Sequence, residues 1–465
     1  MKRVVLLILA IVSFQLNAQE IIGDWHGVLS VQGTSLRIVF HVTSQDGAYQ
    51  STLDSPDQGA YGIQMDKTTF VNGELEITAS ALNAQYFAVL GEEGDTLIGT
   101  FEQNGMTFEL NMSRQEGEPE AIVRPQDPKD FPYYVEEVKF ENPKGGHSLA
   151  GTLTMPENGK FKKAVILISG SGPQDRNEEV MNHRPFLVLS DHLTRNGLAV
   201  LRYDDRGVGE SEGEFQGSTS MDFADDAAAA VSYLKSRKDM KGKKIGLAGH
   251  SEGGMIAPMV AVENEDVDFM VLLSAPGIKI TELLLIQQDR IGEVQGVPVS
   301  FRETNAGIAK EMFEYLENNT DLAKEQLEAG LREFLDRKYD ELTAEMQGMI
   351  GPKENFINQQ SRIVSSDWYL SFIGVNPDTY LSKVKCPVLA VNGELDLQVS
   401  SKENLEGIRT SLQKAKNKKH TIHEFKDLNH LFQVSETGAP SEYAQLEETF
   451  NVDAMDYISN WILAL

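Results

Sequence analysis

The sequence predicts two folded parts: a small antiparallel β domain, then a larger α/β domain with a mainly parallel sheet and a helical insertion. Three observations predict it. Apolar residues alternate at period two from about Ile21 to Ser113, and continuous apolar runs alternate with helical spacing from Tyr133 onward. A block at about 280–380 then shows helical spacing without a strand. The chain has 465 residues, more than one ordinary core accommodates.

In the first part Leu36, Ile38, Phe40 and Val42 alternate, as do Leu75, Ile77 and Ala79, and then Met106, Phe108, Leu110 and Met112. Asn72-Gly73 and Asn104-Gly105 stand between such runs, where a tight hairpin needs positive φ at both turn residues. This predicts a barrel or sandwich over residues 19–113, with Trp25-His26-Gly27 as core packing and no catalytic cluster. Residues 114–132 carry Glu, Gln, Asp and four prolines, a composition expected of a linker.

The second part, 133–465, opens its sheet with Ala164 to Ile168, an uninterrupted apolar run suited to a strand buried on both faces. Leu198–Arg202, Ile245–Ala248 and Met270–Leu273 follow. Phe223, Ala227, Ala230, Val231 and Leu234 fall on one helical face, entered through Thr219 and Asp222 at capping-box spacing. Val388–Val391 and Thr421–Phe425 supply later strands, and Met455–Ile462 a closing helix. Within 280–380, Ile308, Met312 and Leu316 share a face, as do Leu327, Leu331, Phe334 and Leu335; a helical cap over the site is the expectation.

The N-terminus has the order of an export leader over residues 1–18. Lys2 and Arg3 precede the apolar run Val4 to Val12, and Leu16-Asn17-Ala18 offers a cleavage site. Export to the periplasm or medium is therefore expected. The one cysteine, Cys386, excludes an intrachain disulfide. Hydrophobic residues at 41% and charged residues at 24% fit a globular chain. A formal charge of −28 repels phosphate backbones and argues against nucleic-acid binding. After the leader no apolar run is long enough to span a bilayer.

Gly-x-Ser-x-Gly occurs twice, so context has to choose. Gly209-Glu210-Ser211-Glu212-Gly213 continues into Gly-rich polar residues without a helix. Gly249-His250-Ser251-Glu252-Gly253 follows the strand-like Lys244 to Ala248 and runs into the helical Gly254 to Val260, interrupted by Pro258. A nucleophile elbow requires strand, strained turn and helix, which selects Ser251. A serine hydroxyl requires a base, and that base an orienting acid. Beyond Ser251 the histidines are His420, His423 and His430. The first two belong to or border the strand at 421–425, whereas His430 follows it in a loop, where an imidazole can reach the site. After Val388–Val391 two carboxylates compete, Glu394 and Asp396; Asp396 is preferred because the Asn392-Gly393 turn aims it across the sheet end. For the oxyanion, Glu252 offers one backbone N–H, and Ser171 in Ser169-Gly170-Ser171-Gly172-Pro173 offers the other. No clustered Cys/His set or His-Glu-x-x-His points to a metal, and no phosphate loop points to a nucleotide cofactor.

With these residues in view, the chain resembles the α/β-hydrolase superfamily, and within it the bacterial esterase and serine-aminopeptidase-like branch. The segments carrying the resemblance are Gly170 to Arg176, Arg202 to Gly209, Gly249 to Gly254, and Asn392 to Val399; it spans Tyr133 to the C-terminus. It implies acyl-enzyme hydrolysis by Ser251, Asp396 and His430. Many relatives have His-Gly before the oxyanion residue, where this chain has Ser169-Gly170. Two substrate classes stay open, small or medium carboxylic esters and short peptides or amides. A ligand of the β domain is not specified, and a non-catalytic binding protein has no use for all three partners.

Overall fold

A computed structural model describes residues 21–31, 34–45, 47–56, 60–79, 82, 84–91, 94–103, 106–115 and 124–465. The leader and the Asn104-Gly105 turn lie outside the described residues. The chain divides into two compact units at Ala121/Ile122.

The first unit is one antiparallel sheet, with ten strands among the described residues. Its order begins with Ala60–Gln64, Ala48–Ser55, Thr34–Gln45, Gly23–Val31 and Met112–Ser113. It continues through Thr96–Gln103, Ala84–Leu90, Glu74–Ala79 and Lys67–Val71, with Met106–Glu109 paired to Thr96–Gln103. The two edge strands are near neighbours in sequence, and Ser51 Oγ lies 2.6 Å from Thr68 Oγ1, so the sheet rolls towards closure. Period-two alternation makes this possible: Leu75, Ile77 and Ala79 are buried while their neighbours are not. Trp25 is fully buried, its indole N–H donating to Ile21 O at 2.8 Å. At Asn72-Gly73 the φ values are 54° and 86°, as a two-residue hairpin turn requires. The run from Met106 to Met112 is not one strand, because it breaks at Leu110 and Asn111.

The second unit has an eight-stranded sheet in the order Tyr134–Asn142, His147–Met155, Ala199–Tyr203, Lys163–Ile168, Lys244–His250, Phe269–Leu273, Val388–Gly393 and His420–Phe425. Both pairings of His147–Met155 are antiparallel and the rest parallel. The opening hairpin is an addition to the strands read from sequence. Alternate residues of Lys163–Ile168 enter opposite cores. Ala164, Ile166 and Ile168 face the helices Ser220–Ser236 and Glu252–Glu263, whereas Val165 and Leu167 face Pro185–Arg195 and Val452–Ala464. Thr219 and Asp222 form the expected capping box.

Seven helices from Ile280–Val294 to Asp378–Leu381 make the insertion between Phe269–Leu273 and Val388–Gly393. Part of the stretch expected as a linker does not behave as a tether. Arg124 is buried, and its guanidinium donates to Met181 O, Ala444 O and Leu446 O, while Asp127 pairs with Arg184 at 2.8 Å. Among the described residues no helix is long and apolar enough to cross a membrane.

Candidate active site

The loops leaving the carboxyl ends of the parallel strands converge on Ser251, the position at which open α/β sheets build sites. Ser251 has φ 51° and ψ −119°, a left-handed conformation that costs a non-glycine residue about 1–3 kcal/mol. Its N–H donates to Leu273 O at 2.9 Å. The glycines around it are sterically required: a Cβ on Gly249 would stand 2.0 Å from Gly253 O, and one on Gly253 2.2 Å from Ile168 O. Pro258 sits in the second turn of the following helix, Glu252–Glu263, without ending it.

Ser251 is half-buried. His430 and Asp396 are both buried, with His430 Nδ1 2.8 Å from Asp396 Oδ2. The other carboxylate oxygen accepts the backbone N–H groups of Gln398 at 2.9 Å and Val399 at 2.8 Å. A carboxylate so held accepts from Nδ1–H and leaves Nε2 of the imidazole as proton acceptor. Glu394, the competing carboxylate, is exposed and accepts the Asp427 N–H at 3.3 Å. His420 Nδ1 bonds to Asn417 O, and His423 stacks on Tyr457 with centroids 4.3 Å apart. Ser211 of the duplicated motif is structural: its hydroxyl donates to Asp204 O and accepts the Ala150 N–H.

The two backbone groups considered for an oxyanion occupy different surroundings. Glu252 opens the helix, where N–H groups have no intrahelical acceptor. Ser171 is exposed and its N–H has no acceptor among the described residues, whereas the Gly170 N–H is taken by Glu178 Oε1 at 2.6 Å. A Cβ on Gly170 would lie 3.3 Å from Ser251 Cβ, so this loop passes directly beside the nucleophile position.

Sequence reasoning missed four side chains here, those of Glu252, Trp368, His250 and Glu178. The Glu252 carboxyl is buried and accepts from Ser220 Oγ at 2.5 Å and from the Trp368 indole N–H at 3.1 Å. Burial drives its pKa upward, and the two donors only partly offset that. Trp368 belongs to the insertion helix Asp367–Ile373, so the cap reaches the residue beside Ser251. His250 and Glu178 form a buried pair, Nδ1 to Oε1 2.9 Å. The signal for His250 was its place before the serine; its partner lies 72 positions away and had none. Cys386 is half-buried, and burial pushes its thiol up to about 11, which suits an inert side chain. Among the described residues no group of three or more His, Cys, Asp or Glu could hold a metal ion.

Residues 183–313 match the profile of Serine aminopeptidase, S33. The chain is 26% identical over 336 residues to Esterase EstD of Thermotoga maritima, covering 72% of this chain and 70% of that one. It is 34% identical over 97 residues to AB hydrolase superfamily protein YisY of Bacillus subtilis, 20% of this chain and 34% of that one. Among solved structures, an esterase of Pyrococcus furiosus aligns with 74% of this chain and 98% of its own at 16% identity and a TM-score of 0.41.

Proposed function

We propose that this chain, a serine hydrolase of α/β-hydrolase fold, cleaves carboxylic esters through an acyl-enzyme. Ser251 attacks the acyl carbon, His430 Nε2 takes its proton and returns it to the leaving alcohol, and Asp396 holds the His430 ring. The N–H groups of Glu252 and Ser171 receive the oxyanion. Water, deprotonated by His430, then releases the acid. The observation that carries this reading is the buried His430–Asp396 bond, on a loop whose His430 carbonyl bonds the residue before a serine in the strained elbow conformation. The likeness to Esterase EstD supports an ester as substrate. The serine aminopeptidase profile favours a second reading, in which the same groups cleave an amide or short peptide. We further propose export to the periplasm or medium, on the basic and apolar order of residues 1–18.

A panel of p-nitrophenyl esters beside aminoacyl nitroanilides, run with wild type, Ser251→Ala and Ser211→Ala, tests the proposal. Ester turnover should exceed amide turnover, fall by about 10⁴-fold or more in Ser251→Ala, and persist in Ser211→Ala. Turnover of nitroanilides alone would move the substrate to peptides, and an active Ser251→Ala would defeat the mechanism.

A further inference from the structure

The nucleophile is preceded by a histidine that the proposed reaction does not use. His250 is 7% exposed and both of its ring nitrogens are engaged. Nε2 stands 3.0 Å from His430 O. A carbonyl oxygen can only accept, so Nε2 carries a proton. Nδ1 stands 2.9 Å from Glu178 Oε1, an oxygen that already accepts the Gly170 N–H at 2.6 Å. That N–H marks Oε1 as an accepting oxygen, so Nδ1 donates to it and carries a proton too. The Ser274 hydroxyl does not compete for His430 O, because its shorter bond goes to Asn392 Oδ1, at 2.9 Å against 3.3 Å.

The local backbone is built to hold this arrangement. Glu178 has φ 54°, a strained value for glutamate, inside a turn fixed by Asp175, whose side chain accepts the N–H groups of Asn177 and Glu179. The pair therefore joins three segments that have to meet for catalysis: the elbow, the Gly170-Ser171 loop and the His430 loop.

We propose that His250, held as an imidazolium between the Glu178 carboxylate and the His430 carbonyl oxygen, is a positioning residue that fixes the base and the oxyanion loop relative to Ser251. The inference rests on the acyl-enzyme reading above. Three ionisable groups face His250: Glu178, Asp396, and the His430 ring, whose centroid is 4.7 Å away. Burial is the largest single effect and works to lower the His250 pKa, but the charge and hydrogen bond of Glu178, the His430 carbonyl and Asp396 together outweigh it, and the net direction is upward. The charge is thus retained to higher pH than a free histidine retains it. Activity should be lost as pH rises through that pKa, on the alkaline limb.

The test uses the whole chain with nitrogen-15-labelled histidine, assigning His250 by loss of its signals in His250→Gln. Both ring N–H groups should persist on His250 to higher pH than on a free histidine side chain. In Glu178→Gln, which keeps the acceptor and removes the charge, the alkaline limb of kcat/KM should move down by roughly one pH unit. His250→Gln should lower kcat by about 10²-fold, as small misplacements of catalytic groups do, while KM barely changes. Loss of the second ring N–H at no higher pH than in a free histidine, an unmoved alkaline limb, or a wild-type kcat in His250→Gln would overturn the proposal. If His250→Gln does not fold, the other two measurements decide. An organophosphonate separates the layers: wild type labelled elsewhere than Ser251 removes the reading itself, whereas labelling at Ser251 with any overturning result removes only the role of His250.

Discussion

Asp396 and Glu394 stand two residues apart in one turn and meet opposite surroundings. Asp396 is 1% exposed with three N–H donors on its two oxygens, counting His430 Nδ1, whereas Glu394 faces solvent. Without the carboxylate, the His430 ring is free to turn and to adopt the wrong tautomer. Asp396→Asn should therefore lower kcat/KM by about 10⁴-fold, the size of that defect in a well-studied protease triad. Glu394→Gln should cost less than about tenfold, as surface changes do. Measuring kcat/KM on one activated ester decides, and the reverse pattern would transfer the role to Glu394. The sequence alone preferred Asp396 only on the aim of the Asn392-Gly393 turn, because spacing cannot report burial. It did single out Ser251, since only one of two identical five-residue patterns had a strand before it and a helix after it. It was silent on Glu178, whose meeting with His250 depends on the pairing of strand Lys163–Ile168, which leads into the Glu178 turn, with strand Lys244–His250.

The strand, elbow and helix around Ser251 leave no room for side chains at their crossings. Gly253 lies against Ile168 O of the neighbouring strand, and Gly254 against Ala275, where a Cβ would stand 2.4 Å from Ala275 Cβ. Gly253→Ala must displace backbone, which side-chain rotation cannot relieve. It should cost about 3 kcal/mol or more and remove activity with it. Gly348 provides the control, an exposed glycine inside the insertion helix Ala344–Ile350 with open space where its Cβ would go. Gly348→Ala should stabilise by roughly 0.5–1 kcal/mol and leave turnover unchanged. Urea unfolding of both variants checks this; a Gly253→Ala protein as stable as wild type would mean that the crossing relaxes easily. Period explains what was legible among the elements. Fully buried parallel strands and long amphipathic helices announce themselves in apolar spacing. The hairpin Tyr134–Asn142/His147–Met155 did not: its second strand is buried throughout, yet carries His147, Ser148, Thr152 and Thr154, which break any apolar run.

At the scale of the molecule, the division between the two units at Ala121/Ile122 falls inside the polar, proline-bearing stretch 114–132. A proline-bearing polar stretch has the composition of a tether, and composition cannot show that Arg124, Gln126 and Asp127 are bonded into the second unit. Those bonds reach the segment 444–450, where Gln126 accepts from the Thr449 and Phe450 N–H groups and donates to Phe450 O at 2.7 Å. The same segment supports the loop of His430: Gln433 donates to Glu448 O at 2.8 Å, and the Asn451 N–H to Phe432 O at 2.8 Å. Where the chain is cut should therefore matter more than whether the β domain is present. A protein comprising residues 122–465 retains every residue of the proposed site and all three anchors. It should fold and cleave a small soluble ester at close to the full-length rate. A protein starting after Pro128 loses the anchors and leaves buried carbonyls and amides unpaired, each worth about 1–3 kcal/mol. Its stability should fall by about 3 kcal/mol or more, and its kcat should fall too, because the lost support lies one loop from His430. Calorimetric unfolding and ester turnover of the two truncations side by side measure both effects. Equal stability and activity in the two proteins would show that the anchors are dispensable, and failure of the 122–465 protein to fold would show that the units depend on a shared core.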